Sequence, residues 1–439
     1  MLPMSTNPWL VRRILCLLRV KSSARRPFID ERSKYRVHGL LWMCLAQPSL
    51  PRHRHRRRSA MKRYICQAVL GVLGAALVVP ALAAQAQAGS LPAQAEIVQD
   101  YDVLVVGKTT GFRHSSIDEA TTAIMALGKA NGFSVEVWDP ATSPSNKGQP
   151  DRTLPSTPFT SASDLDKYET IVFVSTVDGT NNLDPAKPTL LNKTELDAFQ
   201  GYIRDGGGFA GVHAATDSMH TIPWYSQLTG GGARFVSHPQ QQNAVQVVED
   251  GTHPSTEHLP GTWARFDEWY NFTQSPRDSV RVLTNLDETT YNAGGGSMGA
   301  DHPLSWCQNF ESARSWYTGG GHTEASYVDP VFLKHLLGGI EWSAGAVSGG
   351  GDCVTWYEVE SLTADLLADG QISSQASTQL AKQLDKAQEL ADAGLHADSA
   401  DKLNAAAGQV RAHIDRDSPA HDLLLGKVRD LQTWQSEQQ

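Results

Sequence analysis

Residues 203–217 read IRDGGGFAGVHAATD. Three glycines (Gly206, Gly207, Gly208) permit a tight bend, residues 209–212 form a short apolar strand, and His213 follows among small residues. A buried parallel strand ending there puts His213 at the carboxyl edge of a sheet, where open α/β folds bind ligands. The layout has the form of a nucleophile elbow with histidine at the nucleophile's position. The competing reading is a core strand ending in a hydrogen-bonded histidine. The flanking glycines and alanines argue against it, because they leave the ring little to pack on.

Upstream, the chain reads as alternating strands and helices. DVLVVG (102–107) is an apolar strand, followed by a loop carrying Lys108, Arg113 and His114. A helix is expected over 117–131, with Ser115 or Ser116 as N-cap and Asp118 and Glu119 in its first turn. Strands follow at 135–138 and 171–175, and a helix at 194–205 leads into the glycine bend. This alternation predicts a doubly wound parallel sheet over residues 100–345, its site formed by loops at the strands' carboxyl ends.

The second half concentrates histidine, tryptophan and acids beside Pro or Gly: FVSHP (235–239), DEWY (267–270), HPLSW (302–306) and YTGGGHTE (317–324). Each His-Pro pair alone reads as a turn. Several in one domain suggest a shared pocket. Asp267 and Glu268 are carboxylates fit for general-base work or for polarising a hydroxyl. Tyr270 and Trp306 suit sugar faces, with core packing an equal alternative. No HExxH or CxxC signature is present, so local spacing does not support a metal site. A divalent ion held by His213, His238 and His322 is left open.

The N-terminus has a different character. Residues 1–60 hold fourteen Lys or Arg against Asp30 and Glu31, and read as a disordered basic leader. Residues 61–88 run from Met61-Lys62-Arg63 through an apolar stretch at 68–79 to two AxA sites, the layout of a secretory signal peptide starting at Met61. That stretch is too short to span a bilayer. Up to residue 88 there are sixteen Lys or Arg and two acids, leaving 22 basic and 45 acidic residues, a net charge near −23. Such a surface repels nucleic acid and anionic lipid. Beyond the signal only Cys307 and Cys353 remain, read as one disulfide in an exported protein.

After Gly345 the composition shifts. Residues 346–352 read as a flexible linker, and 353–434 carry Leu and Ala at helical spacing in four segments, which predicts a small helical bundle. DGQIS and AGLHADSADKL resemble the FIMAH-type helical modules appended to secreted bacterial enzymes. The resemblance implies an attachment or spacer role at a cell surface or matrix.

GFRHSSI, GGGFAGVHAATD, the His-Pro pairs, DEWYNF, HPLSW, SWYTGGGHTEASY and HLLGGIEWSAG, in this order, resemble the ThuA-like (trehalose-utilisation) family, whose fold is similar to class I glutamine amidotransferases. The resemblance covers about residues 101–345. It implies a flavodoxin-like sheet with a pocket above His213, and carbohydrate as the ligand. Amidotransferases use an elbow cysteine and a downstream His-x-Glu. Here His322-Thr323-Glu324 stands for the second and His213 replaces the first, so no covalent glutamyl intermediate can form and glutaminase activity is excluded.

The expected catalytic set is His213, Asp267, Glu268, His322 and Glu324, with Lys108, Arg113, His114, Asp217, Tyr270, His302 and Trp306 binding substrate. The expected function is an exported hydrolase, lyase or isomerase acting on a disaccharide or keto-sugar. The alternative is a carbohydrate-binding or cell-surface module without turnover.

Overall fold

The computed structural model describes residues 101–140, 152–178 and 189–438. The leader and the signal-peptide reading lie outside them.

Strands β1 (Tyr101–Val106), β2 (Phe133–Trp138), β3 (Thr170–Val174) and β4 (Gly208–Val212) alternate with helices α1 (Ile117–Asn131), α2 (Ala162–Leu165) and α3 (Lys193–Arg204). Helix α1 ends at Gly132, whose left-handed backbone (φ 81°) closes the last turn. Helix α3 opens with a capping box in which Asn192 and Glu195 each accept the other's backbone N–H. Then come α4 (Pro223–Gly230) and strands β5 (Phe235–Ser237), β6 (Gln242–Val248), β7 (Thr262–Asp267), β8 (Asn271–Phe272), β9 (Arg281–Asp287), β10 (Pro303–Phe310) and β11 (Ala313–Thr318). Helix α5 (Pro330–Ser343) closes the mixed α/β part.

Nine strands form one sheet in the order β2-β1-β3-β4-β11-β10-β9-β6-β7, and β5 pairs with β8 separately. The strands from β2 to β11 in that order are mutually parallel. The other four are antiparallel. The expectation of a purely parallel sheet is therefore corrected. Strands β6, β7, β9 and β10 come from the stretch read as histidine-rich loops.

Side chains alternate across the parallel strands and divide the core. Leu104, Val106, Ile171, Phe173 and Phe209 pack with Phe199, Tyr202 and Tyr225 from α3 and α4. Val103, Val105, Val172, Val174, Ala210 and Val212 face Ile124 of α1 and Phe332, Leu336 and Ile340 of α5.

Helices α6 (Trp356–Ala368), α7 (Ser374–Asp392), α8 (His396–His413) and α9 (Pro419–Glu437) share a core of their own, including Leu380, Leu403, Leu424 and Val428. The preceding segment is a packed connection, which corrects the reading of a flexible linker. Gly350 and Gly351 are buried, and Arg314 binds Val347 O at 2.9 Å and Asp352 Oδ1 at 2.9 Å. Gly351 has a positive φ of 55°, and a Cβ there would lie 2.2 Å from Asp430 O, so this glycine is needed for close approach. The Cys307–Cys353 disulfide ties the same segment to β10, with the Cα atoms 5.8 Å apart.

Candidate functional site

His114 follows β1, His213 follows β4, and His322 lies between β11 and α5. These three strands run the same way, so all three loops leave one edge of the sheet. β1 and β4 are separated by β3, so they share that edge without being neighbours. Asp267 ends β7 and Glu268 follows it; β7 also runs toward that edge because four antiparallel pairings, through β10, β9 and β6, separate it from β11. A flat sheet would hold β7 about 19 Å from β11. Asp267 nonetheless accepts the N–H of Gly321 at 2.8 Å and of His322 at 3.0 Å, so the antiparallel half curls back over the edge.

His213 is fully buried, with φ 49°, and opens a 3-10 turn over His213–Asp217. A non-glycine residue in this region is uncommon and marks a sharp strand-to-turn corner. Tyr317 Oη donates to His213 O at 2.7 Å and holds the corner. The ring's Nδ1 donates to Gly319 O at 2.9 Å, which leaves Nε2 as a lone-pair nitrogen directed into the site. Tyr270 packs on the imidazole with ring centroids 4.1 Å apart.

His213 Nε2 lies 3.1 Å from His322 Nδ1 and 3.6 Å from Glu268 Oε2, and His322 Nδ1 lies 3.1 Å from the same carboxylate oxygen. The other carboxylate oxygen pairs with His238 Nδ1 at 3.0 Å. His114 stands edge-on to both rings, with centroids 4.9 Å from His213 and 5.1 Å from His322. One donor atom from each of His114, His213, Glu268 and His322 lies within 4.8 Å of every other, so these residues form a set able to hold an ion.

The electrostatics follow from this packing. Burial pushes the Glu268 carboxyl up, but the adjacent imidazoles of His213 and His322 outweigh it and leave it well below the usual carboxylate range. Burial lowers His322, yet its hydrogen bond to Glu268 and the charges of Glu268, Asp267 and Glu324 raise it overall. His114 is driven far down by burial, with His213 and His322 adding to the effect, and is neutral at pH 7.

Several expected site residues have other roles. Asp267 acts as a clamp: it pairs with buried Arg265 at 2.8 Å and holds the Gly321–His322 backbone. Glu324 does not orient His322. It accepts from Ser115 Oγ, joining the β1 and β11 loops, because residues two apart on this turn do not face the same group. His302 lies behind the site, with Nε2 bonded to Tyr270 O at 2.8 Å and Nδ1 to Glu288 at 2.7 Å. Trp306 is a core residue stacked on Tyr317 and donating to Thr229 O, so it offers no sugar platform.

Arg113 is held by Asp139 and Asp118 at 2.7 and 2.8 Å. Lys108 lies over Trp138 and 3.9 Å from Glu195, with burial lowering its pKa. Asp217 is buried against His220 at 3.0 Å. Burial raises its pKa and His220 partly offsets this. The sequence names His238 only as an open metal-ligand candidate and does not place Arg265 at the site. The His238-Pro239 pair was a visible signal for the first, but a single such pair does not distinguish a turn from a ligand contact.

A family model described as ThuA, trehalose utilisation, matches residues 102–343. The chain belongs to the ThuA family. A ThuA-like protein from Bacteroides uniformis ATCC 8492 is 25% identical over 58% of this chain and 95% of its own, with a TM-score of 0.44. One from Parabacteroides merdae ATCC 43184 is 20% identical over 56% and 91%, with a TM-score of 0.41. No curated protein sequence matches. Within the ThuA region lie all four residues of the His114, His213, Glu268, His322 cluster.

Proposed function

We propose that this ThuA-family protein is an exported enzyme acting on a disaccharide or keto-sugar by acid/base chemistry without a cysteine nucleophile. The observation that carries the reading is the contact of His213, His322 and Glu268 at the carboxyl edge of β4. An imidazole raised by an adjacent carboxylate is a proton donor near neutral pH, and a second imidazole with a free lone pair is an acceptor. Hydrolysis, elimination and isomerisation of a sugar can each use such a pair. The family's description, trehalose utilisation, supports carbohydrate as the substrate class. Tyr270, packed on His213, presents a further ring beside the reacting groups.

On this reading the parallel strand order 2-1-3-4-11 supports a flavodoxin-like sheet similar to class I glutamine amidotransferases. Residues 61–88 direct export, and the C-terminal helices are a FIMAH-like module serving attachment. The second reading, a carbohydrate-binding module without turnover, is favoured by the missing elbow cysteine and by those appended helices.

Incubation with trehalose and with 3-keto-disaccharides, analysed by chromatography, tests the proposal. Product formed by the native protein and lost in His213→Ala supports the enzyme. Saturable sugar binding with no product from any of these sugars would replace it with the binding module.

A further inference from the structure

We propose that His114, His213, His322 and Glu268 form a binding site for one divalent transition-metal ion of the zinc class, with His238 holding Glu268 from outside. His213 Nε2, His322 Nδ1 and Glu268 Oε2 make a triangle with edges of 3.1, 3.1 and 3.6 Å. Tetrahedral zinc with bonds of about 2.0–2.2 Å needs ligand atoms about 3.3–3.6 Å apart. The triangle is therefore close to one face of that tetrahedron, and two imidazoles plus one carboxylate are a recurrent facial ligand set.

The surroundings prepare the donors for this role. His213 gives its Nδ1 proton to Gly319 O, which fixes the tautomer that leaves Nε2 free for a metal. His238 binds Glu268 Oε1, leaving Oε2 turned to the imidazoles.

His114 supplies the independent observation. It is only 5% exposed, and its Nδ1 is buried with no hydrogen-bond partner among the described residues. An unsatisfied buried nitrogen costs about 1–3 kcal/mol. It stands edge-on to both partner rings, with a donor atom within 4.8 Å of the other three ligand atoms.

With His213 neutral, a hydrogen-bond network alone does not satisfy this cluster. His322 Nδ1 carries at most one proton, yet it is 3.1 Å from two acceptors, so one lone pair is left facing another. A cation between them resolves the conflict, and its binding displaces that proton. Three nitrogens and one carboxylate favour zinc, cobalt, nickel, iron or manganese over calcium and magnesium, which take oxygen ligands. The His322 and His238 side chains are 18% and 40% exposed, so a substrate oxygen has access from that side as a fifth ligand.

The test uses the full chain, stripped with a chelator and titrated with Zn²⁺ by calorimetry in the absence of sugar, then loaded with Co²⁺ for visible absorption. One ion per chain is expected, with d–d bands of a low-coordinate cobalt site. His114→Ala, His322→Ala and Glu268→Gln should each weaken binding by about 100-fold or more, and His238→Ala by about 10-fold. His258→Ala, at a partly buried histidine bonded to Val331 O, should leave it unchanged. Thermal melting checks that each variant is folded, and one that is not is set aside for the remaining ligand variants. Folded wild-type protein that binds no Zn²⁺, or folded His114→Ala and His322→Ala that bind like wild type, overturns the proposal. Because the titration contains no sugar, that failure would leave the sugar reading intact, and a failed sugar assay would leave the metal site intact.

Discussion

His213 Nε2 stands 3.1 Å from His322 Nδ1 across 109 residues of chain. The contact depends on two supports, the Gly319 carbonyl that orients His213 and the Asp267 carboxylate that holds the His322 backbone.

The second support is a buried charge pair. Asp267 is fully buried and the Arg265 side chain is 6% exposed, stacked over Phe332 with its guanidinium carbon 4.2 Å from the ring centre. Asp267→Ala strands that guanidinium without a counter-charge and should cost about 3–5 kcal/mol in urea unfolding. It should also free the Gly321–His322 loop and abolish function. Asp267→Asn keeps one acceptor oxygen for the Gly321–His322 backbone while losing the second oxygen and the charge, so it should be milder in stability. A loss below about 1 kcal/mol for the alanine variant would mean that the pair is not the clamp described here.

The Cys307–Cys353 disulfide closes a loop of 46 residues. By the chain-entropy argument such a loop contributes about 3–4 kcal/mol, because the cross-link limits the unfolded chain. Cys307→Ser and Cys353→Ser should each lower the denaturation midpoint to the same degree, and the double variant should lose little more. Additive losses from the two single variants would show that the cysteines act separately.

What could be read from the sequence follows from how each element is buried. Strands β1, β3 and β4 are covered by helices on both faces, so they appear as continuous apolar runs, with glycine after β1 and at the start of β4. Strand β6 (Gln242–Val248) exposes Asn243 and Val247 and buries Ala244 and Gln246, a pattern too polar to stand out between His-Pro turns. His302 suggests a ligand group through its proline neighbour and Trp306 through its ring, for which core packing is an equal reading; both pack behind Tyr270 and Tyr317. His213 was legible because a strand, glycines and small residues surround it. The pairing of Glu268 with His322 was not, since it depends on the sheet curling across four strands. The packed segment before α6 was misread because its glycines serve close approach as well as flexibility.

That segment makes the helices less separable from the sheet than their composition suggests. Arg281 of β9 is buried under the Trp434 ring of α9 at 3.9 Å, near Asp250 at 3.7 Å, and donates to Val354 O. Trp434→Ala removes that cover and should destabilise the protein by about 2 kcal/mol, with Trp434→Phe recovering part of it. A chain ending at Val354 should melt earlier but keep the histidine cluster, which lies at the other loops. Unchanged melting of both variants would show that the helices only rest on the sheet.

The same junction carries a pH-sensitive group. Burial, with the charges of Asp352 and Glu358 adding and those of Lys427 and Arg281 opposing, raises the Asp430 carboxyl to about 6. Its backbone oxygen also packs against Gly351. A raised folded-state pKa means that the protonated form is preferred in the native protein. This group's contribution is therefore fully present below the unfolded value near 3.9 and lost as pH rises through about 6. Above that pH the native state holds an unfavourably placed anion. Asp430→Asn should match wild type at pH 4 and be more stable at pH 8, by about 1 kcal/mol after allowing for solvent screening of a half-buried group. Melting curves at the two pH values decide the matter. An equal advantage at both would point to packing or hydrogen bonding instead of charge, and no advantage at pH 8 would show that Asp430 is well solvated at the junction.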